Sequence, residues 1–218
     1  MKRAAARIGV LALMLGFVGL GIWQLERRTW KLDLIARVEA RLATAPVAPP
    51  MRAVGKDDEY TRVAASGRWV SGHDTYTQAV TELGGGFWVL TPLDTGAGRI
   101  LVNRGFVPPD RRGRVPPPAG PVRVEGLLRL TEPGGGFLRS NDPAADRWYS
   151  RDVAAIAAAR GLGPVAPWFL DAGVNGEGWP RGGLTVVRFR NTHLQYALTW
   201  FAMAALLGVL AWRAGRRA

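Results

Sequence analysis

The 218-residue chain contains no cysteine. This absence excludes a disulfide framework, a thiolate zinc site, c-type haem attachment, a cysteine nucleophile and copper transfer through thiols. Histidine is also scarce, with only His73 and His193, and no serine lies in the G-x-S-x-G pattern of hydrolases. Because the sequence shows neither a nucleophile–base pair nor spaced metal ligands, we expect a protein that is not an enzyme.

Acidic residues are few: 17 Asp and Glu stand against 29 Lys and Arg, for a net charge of +12. Half of that excess lies at the two ends of the chain, in Lys2, Arg3, Arg7, Arg213, Arg216 and Arg217. No zinc finger or RNA-binding signature accompanies the remaining positive charge. We therefore expect no nucleic-acid partner.

Two long apolar runs lie near the ends of the chain, at residues 8–25 and 194–212. Each is about as long as a helix that crosses a bilayer core of roughly 30 Å. The first run is longer than the apolar region of a signal peptide, and no small-x-small cleavage site follows it. Both runs are therefore predicted to be transmembrane helices, the first an uncleaved anchor in the lipid bilayer.

The basic residues around the two runs predict the orientation. Positively charged flanks stay on the cytoplasmic side, which places the tails 1–7 and 213–218 in the cytoplasm and residues 26–193 on the other side. The first tail leaves no room for a mitochondrial transit peptide. We therefore expect a multi-pass protein of the bacterial inner (plasma) membrane, with its main domain in the periplasm.

The middle of the chain predicts an α+β protein in which a mainly antiparallel β domain lies between the two transmembrane helices. Apolar residues recur at helical spacing in residues 29–42, which predicts a helical extension of the first span. Beyond it, residues 122–130 alternate between apolar and polar side chains, as in a half-buried strand. We expect a partly closed barrel, because closure removes exposed strand edges.

Other segments of the middle domain carry local signals. Residues 87–93 and 100–107 flank a turn at 94–98 and predict a hairpin. Asp152 is a helix cap before an alanine-rich run that stops at Gly161. Further strands are expected at residues 60–70 and 184–189, and the glycine runs 84–86 and 134–136 are interpreted as loops.

His193 stands at the outer end of the second span, with Tyr196 and Trp200 on the same helical face. One interpretation is an interfacial polar residue that caps the helix together with Asn191 or Thr192. The other is an axial ligand for a haem-type cofactor, whose iron binds neutral imidazole. Both interpretations stay open on the sequence alone.

The first span carries matching groups at the same level. Trp23, Arg27 and Trp30 recur at helical spacing and share a stripe, with Gln24 beside them. Arginines would suit the propionates of a porphyrin, because they pair well with carboxylates. The same residue types also anchor helices among lipid headgroups, and the sequence does not separate these two roles.

Several motifs resemble the Surfeit locus protein 1 family. They are Gly21-Ile22-Trp23-Gln24-Leu25 with Arg27 and Trp30-Lys31, the run from Asn191 to Trp200, Thr91-Pro92-Leu93, and Val102-Asn103-Arg104-Gly105-Phe106-Val107-Pro108. The family often has Trp where Phe106 stands, so an aromatic ring is kept. The resemblance covers nearly the whole chain.

The resemblance implies an assembly factor, or chaperone, for haem–copper cytochrome c oxidase of the respiratory chain, which binds haem a or passes it to the catalytic subunit. It implies His193 as the iron ligand, since bacterial members carry a candidate histidine ligand at this position. Haem a synthase is a further expected partner. The family motifs also mark Trp23, Gln24, Arg27, Trp30, Tyr196 and Trp200, for which we expect roles in cofactor binding.

An alternative is a membrane-tethered scaffold that carries no cofactor. In that case the β domain binds a nascent oxidase subunit, and His193 is a cap or a packing residue. The loop arginines Arg104, Arg111 and Arg112 would then supply contact surface.

Overall fold

The computed structural model describes residues 2–136, 138–185 and 189–216. The chain forms two compact units, a helical unit of residues 1–40 and 187–218 and a sheet unit of residues 41–186. The described part contains three α-helices: α1 (Lys2–Ala43), α2 (Val153–Ala159) and α3 (His193–Arg216). The helical unit holds α3 and nearly all of α1.

Helices α1 and α3 run antiparallel. Gln24 contacts His193 near the start of α3, whereas Met14 lies beside Gly208, two helical turns before its end. Both helices are long and apolar enough to cross a membrane, with mean hydropathies of 2.0 and 1.7 over their most apolar 18 residues. Only 6% and 11% of those stretches are buried, so most of their apolar side chains face outward. This is compatible with a membrane-anchored protein.

The sheet unit is built on eight strands in the described residues. They are β1 (Arg62–Trp69), β2 (Thr75–Thr81), β3 (Gly84–Asp94), β4 (Arg99–Val107), β5 (Pro121–Leu130), β6 (Gly135–Gly136), β7 (Arg139–Ser140) and β8 (Val165–Ala172). The six longer strands follow the order β1-β5-β8-β4-β3-β2. Strand β3 also pairs with β1, through Arg68 with Asp94 and Trp69 with Leu93. This pairing closes β1, β5, β8, β4 and β3 into a five-stranded barrel, and β2 extends the sheet beyond β3.

Alternate residues of β4 and β8 enter two different apolar clusters. Val102 and Leu170 belong to one cluster with other residues of β1, β3 and β5, and each is 0% exposed. Leu101 and Phe169 point to the opposite face, where Ile156 of α2 covers them. Because successive strand side chains point to opposite faces, two covered faces make a strand apolar along its whole length. Each such buried side chain stabilises the fold by about 1.5–3 kcal/mol.

Most of the predicted β elements are confirmed. The hairpin of β3 and β4, the strands β1 and β5, and the closed barrel agree with the expectations from the sequence. Helix α2 is also confirmed: Asp152 Oδ1 accepts a hydrogen bond from the Ala155 amide at 3.1 Å. At its other end, the Gly161 amide donates to the Ala158 carbonyl, which stops the helix where predicted.

The glycine runs were interpreted wrongly. Gly84, Gly85 and Gly86 are the first residues of β3, and Gly135–Gly136 is β6. A side chain at Gly86 would clash with the Val107 carbonyl oxygen, so this position needs glycine because two strands approach closely. In the segment expected to be a strand at 184–189, residues 186–188 lie outside the described residues. Leu184, Thr185 and Phe189 are not in a strand.

Candidate functional site

One face of α1 packs against α3. Its residues are spaced alternately three and four apart, as in a coiled coil, and comprise Met14, Phe17, Gly21, Gln24, Arg28 and Lys31. All six are buried or half-buried, whereas every other residue between 14 and 31 is exposed. We call these six residues the inner stripe of α1.

The first half of the inner stripe packs through rings and small residues. Phe17 stacks on Trp200 with the ring centroids 5.7 Å apart. A side chain at Gly21 would overlap the Phe201 ring, so glycine permits the helices to approach at this level. Small residues at such contacts are typical of helix pairs in membranes, where packing replaces the hydrophobic effect.

At the next level the contact becomes polar. The Nδ1 atom of His193 lies 2.7 Å from Oε1 of Gln24. Because an amide oxygen only accepts hydrogen bonds, Nδ1 carries the hydrogen and donates it. In a neutral imidazole, Nε2 then keeps its lone pair, and it makes no hydrogen bond to any described residue. Gln24 thus fixes both the tautomer and the direction of a nitrogen that can bind a metal ion.

Two cations continue the inner stripe beyond Gln24. Arg28 is one turn further along α1 and forms neither an ion pair nor a hydrogen bond with the described residues. Lys31 follows, and its Nζ lies 4.9 Å from the centroid of the Phe189 ring. The polar end of the helix pair therefore combines a free imidazole nitrogen with positive charge.

The capping interpretation of His193 finds no support in the described residues around the start of α3. Oδ1 of Asn191 is buried without a hydrogen-bond partner. Thr192 contributes its backbone oxygen, which accepts from the Tyr196 amide at 3.3 Å, and its side chain makes no hydrogen bond to the described part of the chain.

The structure brings together some of the predicted site residues and separates others. His193, Gln24 and Trp200 lie in the contact between α1 and α3. Trp23, Trp30 and Tyr196 are 49%, 47% and 54% exposed and lie outside that contact, as does the exposed Arg27. The Arg27 guanidinium lies over the Trp30 ring at 4.4 Å. A role for these four residues in binding a cofactor stays a prediction.

Sequence reasoning named Lys31 only as part of a family motif, and it selected neither Arg28 nor Lys31 as a site residue. It followed the stripe through Trp23, Arg27 and Trp30, which is exposed along its length. The spacing of the inner stripe was the available signal. Counted back from Gln24, alternating steps of three and four reach Gly21 and Phe17, and counted forward they reach the two cations.

Arg104 was wrongly grouped with loop arginines. It lies on β4, is only 7% exposed, and donates to the Val115 carbonyl at 2.9 Å. Arg111 and Arg112 do lie at the surface of the sheet unit, where Arg112 also covers the Phe87 ring at 4.8 Å.

A buried charge network in the sheet unit has no counterpart among the predicted residues. The Asp171 carboxylate is 2% exposed and forms ion pairs with Arg129 at 3.1 Å and Arg151 at 3.2 Å. It also accepts hydrogen bonds from Asn103 at 2.7 Å and from Thr185 at 2.9 Å. All these groups are paired, so the network holds strands together and leaves no carboxylate free for a metal. The described residues contain no group of three or more side chains suited to a metal ion.

Comparison with known proteins identifies the family. The profile of the SURF1 family matches residues 11–205. The chain belongs to the SURF1 family. Surfeit locus protein 1 of Rattus norvegicus is 37% identical over 225 residues, which cover 89% of this chain and 71% of the rat protein. The Homo sapiens protein is 37% identical over 223 residues, with 88% of this chain and 71% of the relative covered.

A relative from a third organism is also similar over most of the chain. A SURF1-like protein of Monosiga brevicollis is 37% identical over 210 residues, which cover 86% of this chain and 79% of that protein. The matched segment of the SURF1 family contains both α1 and α3 contact residues, including Gln24 and His193. The SURF1 family comprises cytochrome c oxidase assembly factors.

Proposed function

We propose that this chain is a membrane-anchored assembly factor for haem–copper cytochrome c oxidase that binds haem a, or passes it to the catalytic subunit. Membership of the SURF1 family supports the client, and the polar contact between α1 and α3 supports the cofactor. We propose that His193 supplies the axial ligand. Haem a synthase is the corresponding donor.

The observation that carries the haem proposal is the hydrogen bond between His193 and Gln24. Histidines that bind metals usually donate their other ring N–H to an acceptor, which fixes the tautomer and the orientation of the ring. Gln24 Oε1 is such an acceptor at 2.7 Å, and it leaves Nε2 as the ligand that haem iron requires. The donor set therefore fits a haem group.

The cations of the inner stripe fit the other end of the cofactor. Haem carries propionate carboxylates, and a guanidinium pairs with a carboxylate through two parallel hydrogen bonds. Arg28 is half-buried and unpaired among the described residues. We propose that Arg28, with Lys31, holds the propionates while His193 binds the iron.

A carrier must also release its cofactor. Among the described residues the helix pair offers one histidine, and the chain contains neither a cysteine nor a third histidine. A single protein ligand holds haem more weakly than two ligands, which suits transfer to a subunit that supplies a complete ligand set. When bound, haem a would supply redox-active iron to the client and not to a reaction of this chain.

We further propose the bacterial inner membrane as the location, with both ends of the chain in the cytoplasm. The basic residues at the first end of α1 and the last end of α3, beside the apolar runs 8–25 and 194–212, support this orientation, because positively charged flanks stay in the cytoplasm. The sheet unit then lies in the periplasm.

A cofactor-free scaffold is the second candidate, and exposed apolar side chains on the sheet unit favour it. Val80 on β2 is 90% exposed, and Leu138 next to β7 is 88% exposed. Strand β2 ends the strand order of the sheet, and a cavity of about 460 Å³ lies between it and the β6–β7 hairpin. This surface would bind an oxidase subunit.

Complementation in cells that lack the native protein separates the two functions. His193→Ala should leave the oxidase subunit at normal abundance but without haem a, because only the cofactor step is lost. Val80→Asp with Leu138→Asp should instead reduce the abundance of the subunit if the scaffold function dominates. His73→Ala is the matched control, since it removes the other histidine, whose one hydrogen bond within the described part of the chain is to the Ser71 carbonyl. Normal haem a content with His193→Ala would contradict the haem proposal.

A further inference from the structure

A second candidate site lies in the sheet unit, at the free edge of β2, and does not depend on the haem proposal. Strand β2 pairs with β3 on one side, and on its other side the Gln78 amide donates to the Trp148 carbonyl at 2.8 Å. In an antiparallel pair, the backbone groups of successive residues point alternately toward the partner strand and away from it. The N–H and C=O groups of Val80, two residues after Gln78, therefore point away from β3 as well.

The second half of this edge is uncovered in the described part of the sheet unit. The Val80 N–H and C=O groups form no hydrogen bond with a described residue, and the Val80 side chain is 90% exposed. Proteins usually protect a free strand edge with a charged side chain, a proline or a bulge. Residues 78–81 contain no charge and no proline, and the β2–β3 register runs through them without a shift. Such an edge is a template on which another extended chain can add a strand.

The cavity of about 460 Å³ beside this edge offers a place for an apolar side chain. Gln78 is opposite Phe87 in the β2–β3 register and Val80 is opposite Gly85, so these four residues share the face that lines the cavity. A side chain at Gly85 would meet nothing within 4 Å, which shows that the space over this glycine is open. The Tyr149 ring lines the cavity as well.

One cation at the cavity lacks a counter-ion. The Arg139 guanidinium lies 5.5 Å from the centroid of the Tyr149 ring and donates to Gln78 Oε1 at 3.3 Å, but it forms no ion pair with a described carboxylate. No acidic residue is among those that line the cavity. Asp110, which follows a lining proline, is paired with Arg111 at 3.5 Å, and Glu82 lies in the exposed turn after β2. The charge at the cavity therefore favours a ligand that carries a carboxylate.

The same charge disfavours a second copy of this chain as the occupant. Two copies that paired through their β2 edges would use the same surface on both sides of a twofold axis. That arrangement would bring two Arg139 side chains to one contact, where no acidic lining residue offsets their repulsion.

We propose that the free edge of β2 and its cavity bind an extended, apolar segment of a partner polypeptide that carries an acidic residue. The backbone of the segment pairs with Val80 as an added strand, one apolar side chain enters the cavity beside Phe87, and the carboxylate pairs with Arg139. This inference deepens the scaffold function and rests on it, because it names the kind of segment through which an oxidase subunit is bound.

The test uses the full chain in detergent and short fluorescent peptides that tile the extramembrane segments of the oxidase subunits. Fluorescence polarisation, at chain concentrations up to about 100 μM, should detect a peptide in which apolar residues alternate and one residue is acidic. Two N-methylated forms of that peptide, each blocked at one alternate set of backbone nitrogens, are then compared. Only the form blocked on the side that faces β2 should lose binding, because successive backbone groups point to opposite sides. Equal binding by both forms would overturn the proposal.

Val80→Pro tests the backbone contact. It removes the outward N–H and leaves the hydrogen bonds to β3 in place, so the affinity for the peptide should fall about fivefold or more. Val80→Thr is the matched control, because it keeps the N–H group and the branched shape of the side chain. A peptide that binds Val80→Pro as tightly as Val80→Thr would contradict an added strand.

Arg139→Glu tests the charge contact. This variant should weaken binding of the acidic peptide, and a peptide with lysine in place of its acidic residue should recover affinity for the variant, because the charges are exchanged. Arg37→Glu is the control for net charge, since Arg37 is exposed on α1. Arg139 is itself exposed, so this exchange keeps the test decisive if Val80→Pro does not fold. No recovery with the lysine peptide would overturn the charge contact.

Co-purification separates the failure of this inference from the failure of the scaffold function. An oxidase subunit that co-purifies equally with the wild-type chain, Val80→Pro and Arg139→Glu would overturn the inference and leave the scaffold function standing. If no oxidase subunit co-purifies with the wild-type chain, the scaffold function fails and the inference fails with it. A dimer of the wild-type chain that is lost in Val80→Pro would identify a second copy as the occupant and would also overturn the inference.

Discussion

His193 of α3 and Gln24 of α1 form a hydrogen bond of 2.7 Å across the contact between the two apolar helices. In the three turns of α1 before this contact, rings and small residues pack against α3. Two cations of the inner stripe lie beyond it. The bond connects residues that are 169 positions apart in the chain. It places an oriented imidazole at the end of an otherwise apolar helix pair.

The role of Gln24 can be tested by removing its amide. Gln24→Leu keeps the bulk of the side chain but removes the acceptor for Nδ1–H, so the His193 ring is no longer held in one tautomer. Loss of such a partner typically lowers metal affinity about 10- to 100-fold. Titration of the purified chain with haem a, followed by optical absorption, measures this change.

Gln195→Leu is the control for that experiment. Gln195 is an exposed glutamine on α3 only two residues from His193. If both variants bind haem a as tightly as the wild-type chain, Gln24 does not orient the ligand.

The antiparallel contact of α1 and α3 can be tested with thiols, because the chain contains no native cysteine. Met14 Cε lies 3.1 Å from the position that a side chain at Gly208 would take. The double variant Met14→Cys, Gly208→Cys should therefore react with a short bis-maleimide to give a cross-linked peptide pair, detected by mass spectrometry. In Leu15→Cys, Gly208→Cys the first thiol is on the outer face of α1, where Leu15 is 63% exposed. Equal cross-linking in the two variants would contradict the helix pairing.

The strands that were predicted are those whose own residues, or the turn beside them, carry the signal. Strand β5 alternates between apolar and polar residues, and the turn between β3 and β4 is rich in glycine. Strand β8 was missed because it is covered on both faces and contains Pro167. In the structure, the β4–β8 register shifts between Arg99 and Leu101, and Pro167 has no ladder partner there. A proline is tolerated at such an irregularity but argues against a strand in a sequence.

Of the predicted site residues, His193, Gln24 and Trp200 lie in the contact between α1 and α3, and their role in binding a cofactor stays a prediction. The motifs around Gln24 and His193 placed both at one end of the two spans. Which face of α1 meets α3 is decided by packing, through the glycine at position 21 and the ring of Phe17. The three-and-four spacing of the inner stripe indicates this face only when it is counted from Gln24. For the same reason the burial of Arg104 could not be read from its motif, because it depends on a loop that closes over β4.

Asp171 should be essential for the stability of the sheet unit. Asp171→Asn removes the charge between Arg129 and Arg151, which leaves two partly buried guanidinium groups without their shared carboxylate. Breaking a buried pair of this kind costs about 3–5 kcal/mol in the free energy of unfolding. Urea unfolding followed by tryptophan fluorescence measures the loss.

The exposed pair of Asp110 and Arg111 is the control, and Asp110→Asn should cost less than about 1 kcal/mol. Similar costs for both variants would rule out a stabilising network.

The ion pair of Glu132 and Arg151 predicts a dependence of stability on pH. Burial raises the pKa of Glu132, but the hydrogen bond and charge of Arg151 outweigh it and hold this pKa below its ordinary value of 4.5. A lowered pKa in the folded state stabilises the fold above the ordinary value, and this contribution is lost as the pH falls through the folded-state pKa.

The matched variant is Glu132→Gln. The difference in unfolding free energy between the wild-type chain and the variant should have its largest value at neutral pH and should shrink below about pH 4.5. A difference that stays constant through this range would show that the charge of Glu132 makes no contribution.

The most direct test of the account is the optical spectrum of the chain purified from cells that make haem a, compared with that of His193→Ala. The account predicts a Soret band in the wild-type protein that shifts or disappears in the variant, because His193 binds the iron. A wild-type protein with no Soret band that still co-purifies with an oxidase subunit would contradict the haem proposal and favour the scaffold. An unchanged spectrum in His193→Ala would show that another residue is the ligand.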